Sequence, residues 1–142
     1  MSASPLQELE AWERDLLAEA RVARLGLLDS GGDPRVLPVT FAVAGGRIWS
    51  AIDHKRKAPG REPARLRFLR ERPRVALTAD RYDDDWSRLS WVQALGSATL
   101  REAGDEPDAL AALAAKYEPY RERPPGGPLI AIAVERVLSW RA

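Results

Sequence analysis

The sequence predicts a mainly β protein: an antiparallel barrel of six strands with flanking helices, built as one domain over residues 1–142. Three observations carry that expectation. Short apolar runs recur along the chain, set off by Gly, Pro or Asp, and within 35–44 Val36, Pro38, Thr40 and Ala42 alternate with Leu37, Val39, Phe41 and Val43. Two junctions, Asp29-Ser30-Gly31-Gly32-Asp33-Pro34 and Gly45-Gly46, are tight-turn signals that make the early strands antiparallel neighbours. Only three segments carry apolar residues at helical spacing, in the order α β β β α β β α β. Six strands are about enough to close a small barrel around its own side chains.

Taken in order, residues 5–21 read as a helix, with Ser4 as N-cap, Pro5 in the first helical position, and Leu6, Leu9, Trp12 or Glu13, Leu16, Leu17 and Ala20 recurring at helical spacing. Ala23–Asp29 is the first strand. Arg35–Ala44 is the second; Pro38, lacking an N–H, requires an edge or a bulge there. Gly45-Gly46 turns the chain into the third strand, Arg47–Asp53, where Trp49 is expected in the core. A short basic helix begins at Glu62-Pro63-Ala64, buries Leu66 and Leu69, and stops at Pro73. Val75–Ala79 is the fourth strand. Asp80–Arg88 is a loop of mixed charge. Leu89–Glu102 is a long fifth strand with Gly96 as a bend or bulge. An Ala/Leu-rich helix follows over Asp105–Tyr117, capped by Asp105, then a Pro/Gly loop over 119–128. Leu129–Val137 is the last strand, and Trp140 is placed to pack back onto the core.

Composition narrows the chemistry. Apolar content of 45% and charged content of 30% are those of a globular domain. With no cysteine, disulfides, thiolate metal sites and Cys nucleophiles are excluded. A single histidine, His54, rules out a His-rich metal centre. No apolar run approaches the ~20 residues that span a bilayer, and Met1–Pro5 leads into a charged helix without a signal-peptide core, so a cytoplasmic protein is expected. A net charge of +1 argues against a general nucleic-acid binder.

Charge is concentrated in one place. From His54 to Arg74 there are nine Lys or Arg against two Glu, a surplus of seven (9 − 2). Lys55, Arg56 and Lys57 close the third strand just before a helix start, an arrangement suited to holding phosphate. Side chains two apart on a strand face the same way, so Lys55 and Lys57 can converge on one anion. The competing reading is a solvated basic loop paired with the acidic residues of 80–85. His54 can donate to a phosphate or a ring carbonyl, or serve as a surface imidazole.

Several stretches together resemble a known family. They are the turn-linked strands Ala23–Asp29 and Val36–Val43, the Ile48-Trp49-Ser50-Ala51 strand running into the Lys/Arg cluster, the helix ending Arg70-Glu71-Arg72-Pro73-Arg74-Val75, and the strand Trp91-Val92-Gln93-Ala94-Leu95-Gly96-Ser97-Ala98. In this order they resemble the pyridoxamine-phosphate-oxidase-like split-barrel flavoproteins, over roughly residues 10–138. The loop Tyr82-Asp83-Asp84-Asp85-Trp86-Ser87-Arg88-Leu89 is similar to the actinobacterial branch that uses the deazaflavin coenzyme F-420.

The resemblance implies an FMN-binding split barrel that forms a homodimer, with FMN or coenzyme F-420 in a groove between subunits. It places the cofactor phosphate on Lys55, Arg56 and Lys57, with Arg61 as a further candidate. The ring would lie against Pro38, Val39, Thr40, Ser50, Ala51 and Ile52, largely through backbone groups. Trp91 stands where many flavin-binding relatives carry Gln, and Gln93 where a basic residue is common; Trp91 could stack on a ring or fill the dimer interface. The implied activity is hydride transfer to or from a small-molecule substrate, with no nucleic-acid or membrane partner. The alternative is a non-catalytic cofactor carrier of the same fold.

The remaining candidates divide between function and structure. No residue is a clear general acid or base, and the catalytic set is left unassigned; Tyr82 is one candidate proton source. Asp83–Asp85 lack the spacing of a cation loop, so no metal is expected; a structural loop bridged to the basic helix or to another subunit is. Arg65, Arg70, Arg72 and Arg74 either face solvent or meet the polyglutamate tail of coenzyme F-420. Trp86 joins Trp91 as a stacking candidate, with Ser87 and Arg88 beside it.

Overall fold

A computed structural model of the chain describes residues 4–52 and 62–142. It contains one antiparallel sheet of seven strands in the order β2-β1-β5-β6-β7-β4-β3. The strands are β1 (Ala23–Leu28), β2 (Pro34–Val39), β3 (Ala42–Ala44), β4 (Arg47–Ala51), β5 (Arg74–Arg81), β6 (Ser90–Glu102) and β7 (Pro128–Arg141). The helices are α1 (Ala11–Glu19), α2 (Ala64–Glu71), α3 (Pro107–Lys116) and α4 (Glu118–Glu122).

The seventh strand comes from the expected second one. Residues 35–44 are not continuous: Thr40 and Phe41 interrupt them, so β2 and β3 lie at opposite ends of the strand order. The chain crosses from one sheet edge to the other in those two residues, leaving a barrel split at that seam. Phe41 is fully buried at the crossing. Its N–H donates to the Tyr117 hydroxyl at 3.1 Å. The Thr40 carbonyl accepts the Ser50 hydroxyl at 2.7 Å, and the Thr40 hydroxyl pairs with that of Tyr120 at 2.7 Å. Pro38 sits on edge strand β2, as its missing donor requires.

Turn chemistry sets the hairpins. The Asp29 carboxylate accepts the N–H groups of Gly31 and Asp33, closing the β1–β2 turn. Gly45 and Gly46 take positive φ of 60° and 75°, the two-residue turn that matches strand twist between β3 and β4. At Gly96 the β6–β7 register shifts, pairing Gly96 with Val134 and Leu95 with Arg136.

Inward residues of β1, β5, β6 and β7, including Leu25, Leu77, Val92, Ile130 and Ile132, form the barrel core with Leu16 and Leu17 of α1 and Leu66 and Leu69 of α2. Each such side chain contributes about 1.5–3 kcal/mol by leaving water. A second cluster lies where α3 and α4 cover β4 and β7: Trp49 and Leu129 meet Leu113, Tyr117 and Tyr120. Leu129–Ile132 are therefore buried on both sheet faces, which is why this strand reads as a continuous apolar run.

Several local expectations change. The N-terminal helix is two pieces, a 3₁₀ turn over Pro5–Glu8 and then α1, because Leu9 and Glu10 are extended between two capping boxes. Asp105 ends a 3₁₀ turn rather than capping α3, whose N-cap is Glu106. The expected loop over 119–128 contains part of α4. β7 runs on to Arg141, so Trp140 pairs with Trp91 in the ladder and is 46% exposed rather than packed on the core. No described helix is long and apolar enough to cross a membrane.

Candidate functional site

Asp53, His54, Lys55, Arg56, Lys57 and Arg61 lie outside the described residues. Their flanks are placed. Ile52 packs partly buried against the barrel core, and Glu62 pairs with Arg70. Arg70 holds the Glu62 carboxyl below its usual range through that hydrogen bond.

Beside these flanks is a cavity of about 230 Å³ between β1, β2 and the start of α2, lined by Leu27, Leu37, Phe68, Arg35 and Arg65 among others. Arg35 faces Asp29 across 3.9 Å, a loose contact. The Arg65 Nε is buried and has no hydrogen-bond partner among the described residues. A buried donor left so costs about 1–3 kcal/mol. Sequence reasoning passed over Arg35. Its signal was positional: Arg35 pairs with Leu27 and shares the β2 face of Leu37 and Val39, an arginine at an inward position near a strand end.

Of the residues expected around a ring, Pro38 is exposed, Val39 is buried, and Thr40 and Ser50 are joined by the hydrogen bond across the seam. Both hydroxyls are engaged within the protein, since Thr40 also pairs with Tyr120. Ala51 is buried and pairs with Leu129.

Trp91 and Gln93 are on a different part of the sheet. With Arg24, Thr78 and Asp80 they line an outward cleft of about 410 Å³. Gln93 Nε2 donates to Thr78 Oγ1 at 3.0 Å. Ladder pairing places Pro38, Arg24, Thr78 and Gln93 in one row across β2, β1, β5 and β6. Pro38 and Gln93 are thus three strand spacings apart, roughly 14 Å at ~4.8 Å each. The row lies on a partly apolar face that also carries exposed Val36 and Trp140.

The acidic loop satisfies itself rather than bridging to the basic helix. The Asp85 carboxylate accepts the hydroxyl and N–H of Ser87, which hold it below its usual range, and lies 3.7 Å from Arg88. The Tyr82 hydroxyl donates to Asp84, and Trp86 is 68% exposed. Along the basic helix, Arg70 pairs with Glu62, Arg72 with Glu71 and the Ser30 carbonyl, and Arg74 with Glu135. Arg65 differs from these in having a buried Nε with no partner among the described residues.

Residues 9–141 match the family model described as pyridoxamine 5'-phosphate oxidase. None of the curated proteins matches the chain by sequence. Among solved structures, a conserved hypothetical protein of Mycobacterium tuberculosis, Rv2991, superposes with a TM-score of 0.73 at 21% identity, covering 94% of this chain and 84% of its own. A heme binding protein from Mycobacterium smegmatis gives 0.72 at 21% identity, covering 93% of this chain and 54% of its own. An FAD-binding protein from Mesorhizobium loti gives 0.66 at 20% identity, covering 92% and 94%. At these identities the likeness is one of fold.

Proposed function

The chain belongs to the pyridoxamine 5'-phosphate oxidase family, and from that premise we propose that it is a flavin- or deazaflavin-dependent oxidoreductase acting on a small molecule. The observation that carries the reading is the buried Arg65 Nε, without a partner among the described residues, on an arginine that lines one cavity with Arg35, Pro63 and Ala64. A guanidinium suits phosphate, which it can grip with two parallel hydrogen bonds. Arg35 and Arg65 would hold the cofactor phosphate together with Lys55, Arg56 and Lys57, and Arg61 would add to the same field. The bound group would supply the hydride chemistry. The protein's own part is to anchor the phosphate, offer backbone around Pro38–Thr40 and Ser50–Ile52 to the ring, and shield the ring from water.

The same reading makes the chain a homodimer through the outward face bearing Val36, Trp91 and Trp140. Trp91 and Gln93 then serve the ring of a cofactor whose phosphate lies on the other subunit. The roughly 14 Å between Pro38 and Gln93, three strand spacings, favours this division of the site over one confined to a single subunit.

The test is a titration of the purified chain with FMN and with coenzyme F-420, followed by ring fluorescence, on the parent and on Arg65→Gln. Saturable binding to one cofactor, weakened at least tenfold by Arg65→Gln, supports the reading and selects the cofactor. No binding to either sinks it. Binding without turnover of any offered electron acceptor makes the protein a carrier instead.

A further inference from the structure

A groove of about 600 Å³ lies between the N-terminal 3₁₀ turn, α1, β3 and α3, apart from the residues assigned above to the cofactor. Its wall is apolar, with Leu6, Leu9, Leu17 and Val43, yet it carries Arg14, Arg21 and Lys116 and, among the described residues, no carboxylate. No ion pair among the described residues includes any of these three cations. Backbone carbonyls and aromatic faces hold them instead. Lys116 Nζ donates to the Leu17 carbonyl at 3.0 Å and stands 3.7 Å from the centre of the Phe41 ring. Arg21 Nη2 donates to the Lys116 carbonyl at 2.8 Å, with its Cζ 4.7 Å from the centre of the Tyr117 ring. Arg14 donates to the Leu9 carbonyl.

These contacts orient the cations without neutralising them. An ammonium has three donors and a guanidinium five, so each keeps hydrogens for another acceptor. Burial, and then the neighbouring Arg21, push the Lys116 ammonium down to about 8, the direction expected of a cation lacking a counter-ion.

We propose that this groove binds a medium-chain carboxylate, its alkyl chain against the leucine wall, its carboxylate taken by Lys116 and Arg21, and Arg14 adding positive charge nearer the other end of α1. The volume is that of a small-molecule site. Charge complementarity selects the ligand class. A neutral lipid would leave three cations unanswered, and a polyanion without a chain would leave the leucines in contact with water. The inference is independent of the cofactor reading, because the groove shares no wall residue with either cavity described above.

The experiment is isothermal titration of the full chain with sodium decanoate below its micelle concentration, beside 1-decanol and anionic phospholipid vesicles. Saturable binding of one decanoate per chain is expected, at least about tenfold tighter than decanol. Lys116→Met should weaken it about tenfold or more, the scale of one charge-assisted hydrogen bond. Arg14→Gln, on the exposed side of α1, should weaken it several-fold and serves if Lys116→Met does not fold. Ala115→Trp, on the groove wall, should block it while the circular dichroism spectrum is retained. Equal affinity for decanol, no saturable heat, binding to vesicles alone, or decanoate affinity unmoved by Arg14→Gln and Ala115→Trp would each overturn the proposal.

Discussion

Gly96→Ala tests the packing of β6 on β7, the longest strand pair in the sheet. A Cβ built at Gly96 would lie 2.0 Å from the Ala133 carbonyl oxygen, 2.9 Å from its carbon and 3.1 Å from Val134 Cα. All three obstacles are backbone, so no side chain can rotate away. Reaching even 3.0 Å from the oxygen requires a displacement of at least 1.0 Å (3.0 − 2.0) between the two strands. Overpacking of this kind costs about 1–3 kcal/mol and occasionally more. Prising the ladder apart at the register shift removes one or two hydrogen bonds, at about 1 kcal/mol each. Alanine's stiffer unfolded chain offsets about 0.4–1 kcal/mol. A net loss of about 3 kcal/mol follows, a large share of a domain's ~5–15 kcal/mol. Urea unfolding followed by tryptophan fluorescence measures it. Gly126→Ala is the control: its Cβ would meet nothing within 4 Å, so it should stay within about 0.5 kcal/mol of the parent. A Gly96→Ala loss below about 1 kcal/mol at unchanged m-value would refute the reasoning.

Tyr117→Phe removes the acceptor of the buried Phe41 N–H and should cost about 1–3 kcal/mol in urea unfolding. Tyr120→Phe, which loses only its contact with the half-buried Thr40 hydroxyl, should cost less; the reverse order would refute the seam's dependence on Tyr117. For Lys116, burial and then Arg21 lower the pKa in the folded chain to about 8, below its ordinary 10.5. Between these the unfolded chain holds more protons, so stability should rise as pH goes from about 8 towards 10. Above about 10 the Tyr117 hydroxyl, raised by burial, acts in the opposite sense, because the unfolded chain ionises first. Lys116→Met should flatten the rise; a variant with the parent's pH profile would exclude Lys116 as its source. Lys57→Ala should weaken cofactor binding by about 1.5–3 kcal/mol, the scale of a hydrogen bond to a charged group. An unchanged dissociation constant in the FMN and coenzyme F-420 titrations would remove Lys57 from the site.

Much of this fold was legible because its signals are local. Gly45-Gly46 demanded positive φ, Asp29–Asp33 had the side chains to close a turn, Pro38 required an edge, and Gly96 marked a register shift; each requirement acts within a few residues. The candidate site was less legible. Lys55–Lys57 stood out as a charge cluster, but Arg35 looked like an ordinary turn-flanking arginine until the fold set it on the wall of the same cavity as Arg65. Arg65 was one basic residue among several on and just after α2 until ion pairs accounted for Arg67, Arg70, Arg72 and Arg74.

By itself the sequence determined the antiparallel barrel, its turns and most strand positions, and it excluded cysteine chemistry and a histidine-rich metal centre. Tertiary structure alone decided where the barrel splits. Between Val36 and Ala44 the run is apolar but for Thr40, and nothing within it requires Thr40 and Phe41 to leave the ladder. Tyr117 and Tyr120, nearly eighty residues further on, meet the backbone of Phe41 and the hydroxyl of Thr40, and Ser50 takes the Thr40 carbonyl. Those partners satisfy the polar groups that the interrupted strand leaves behind. Only the folded chain brings them together, and the same long-range packing gathers Arg14, Arg21 and Lys116 around one apolar groove.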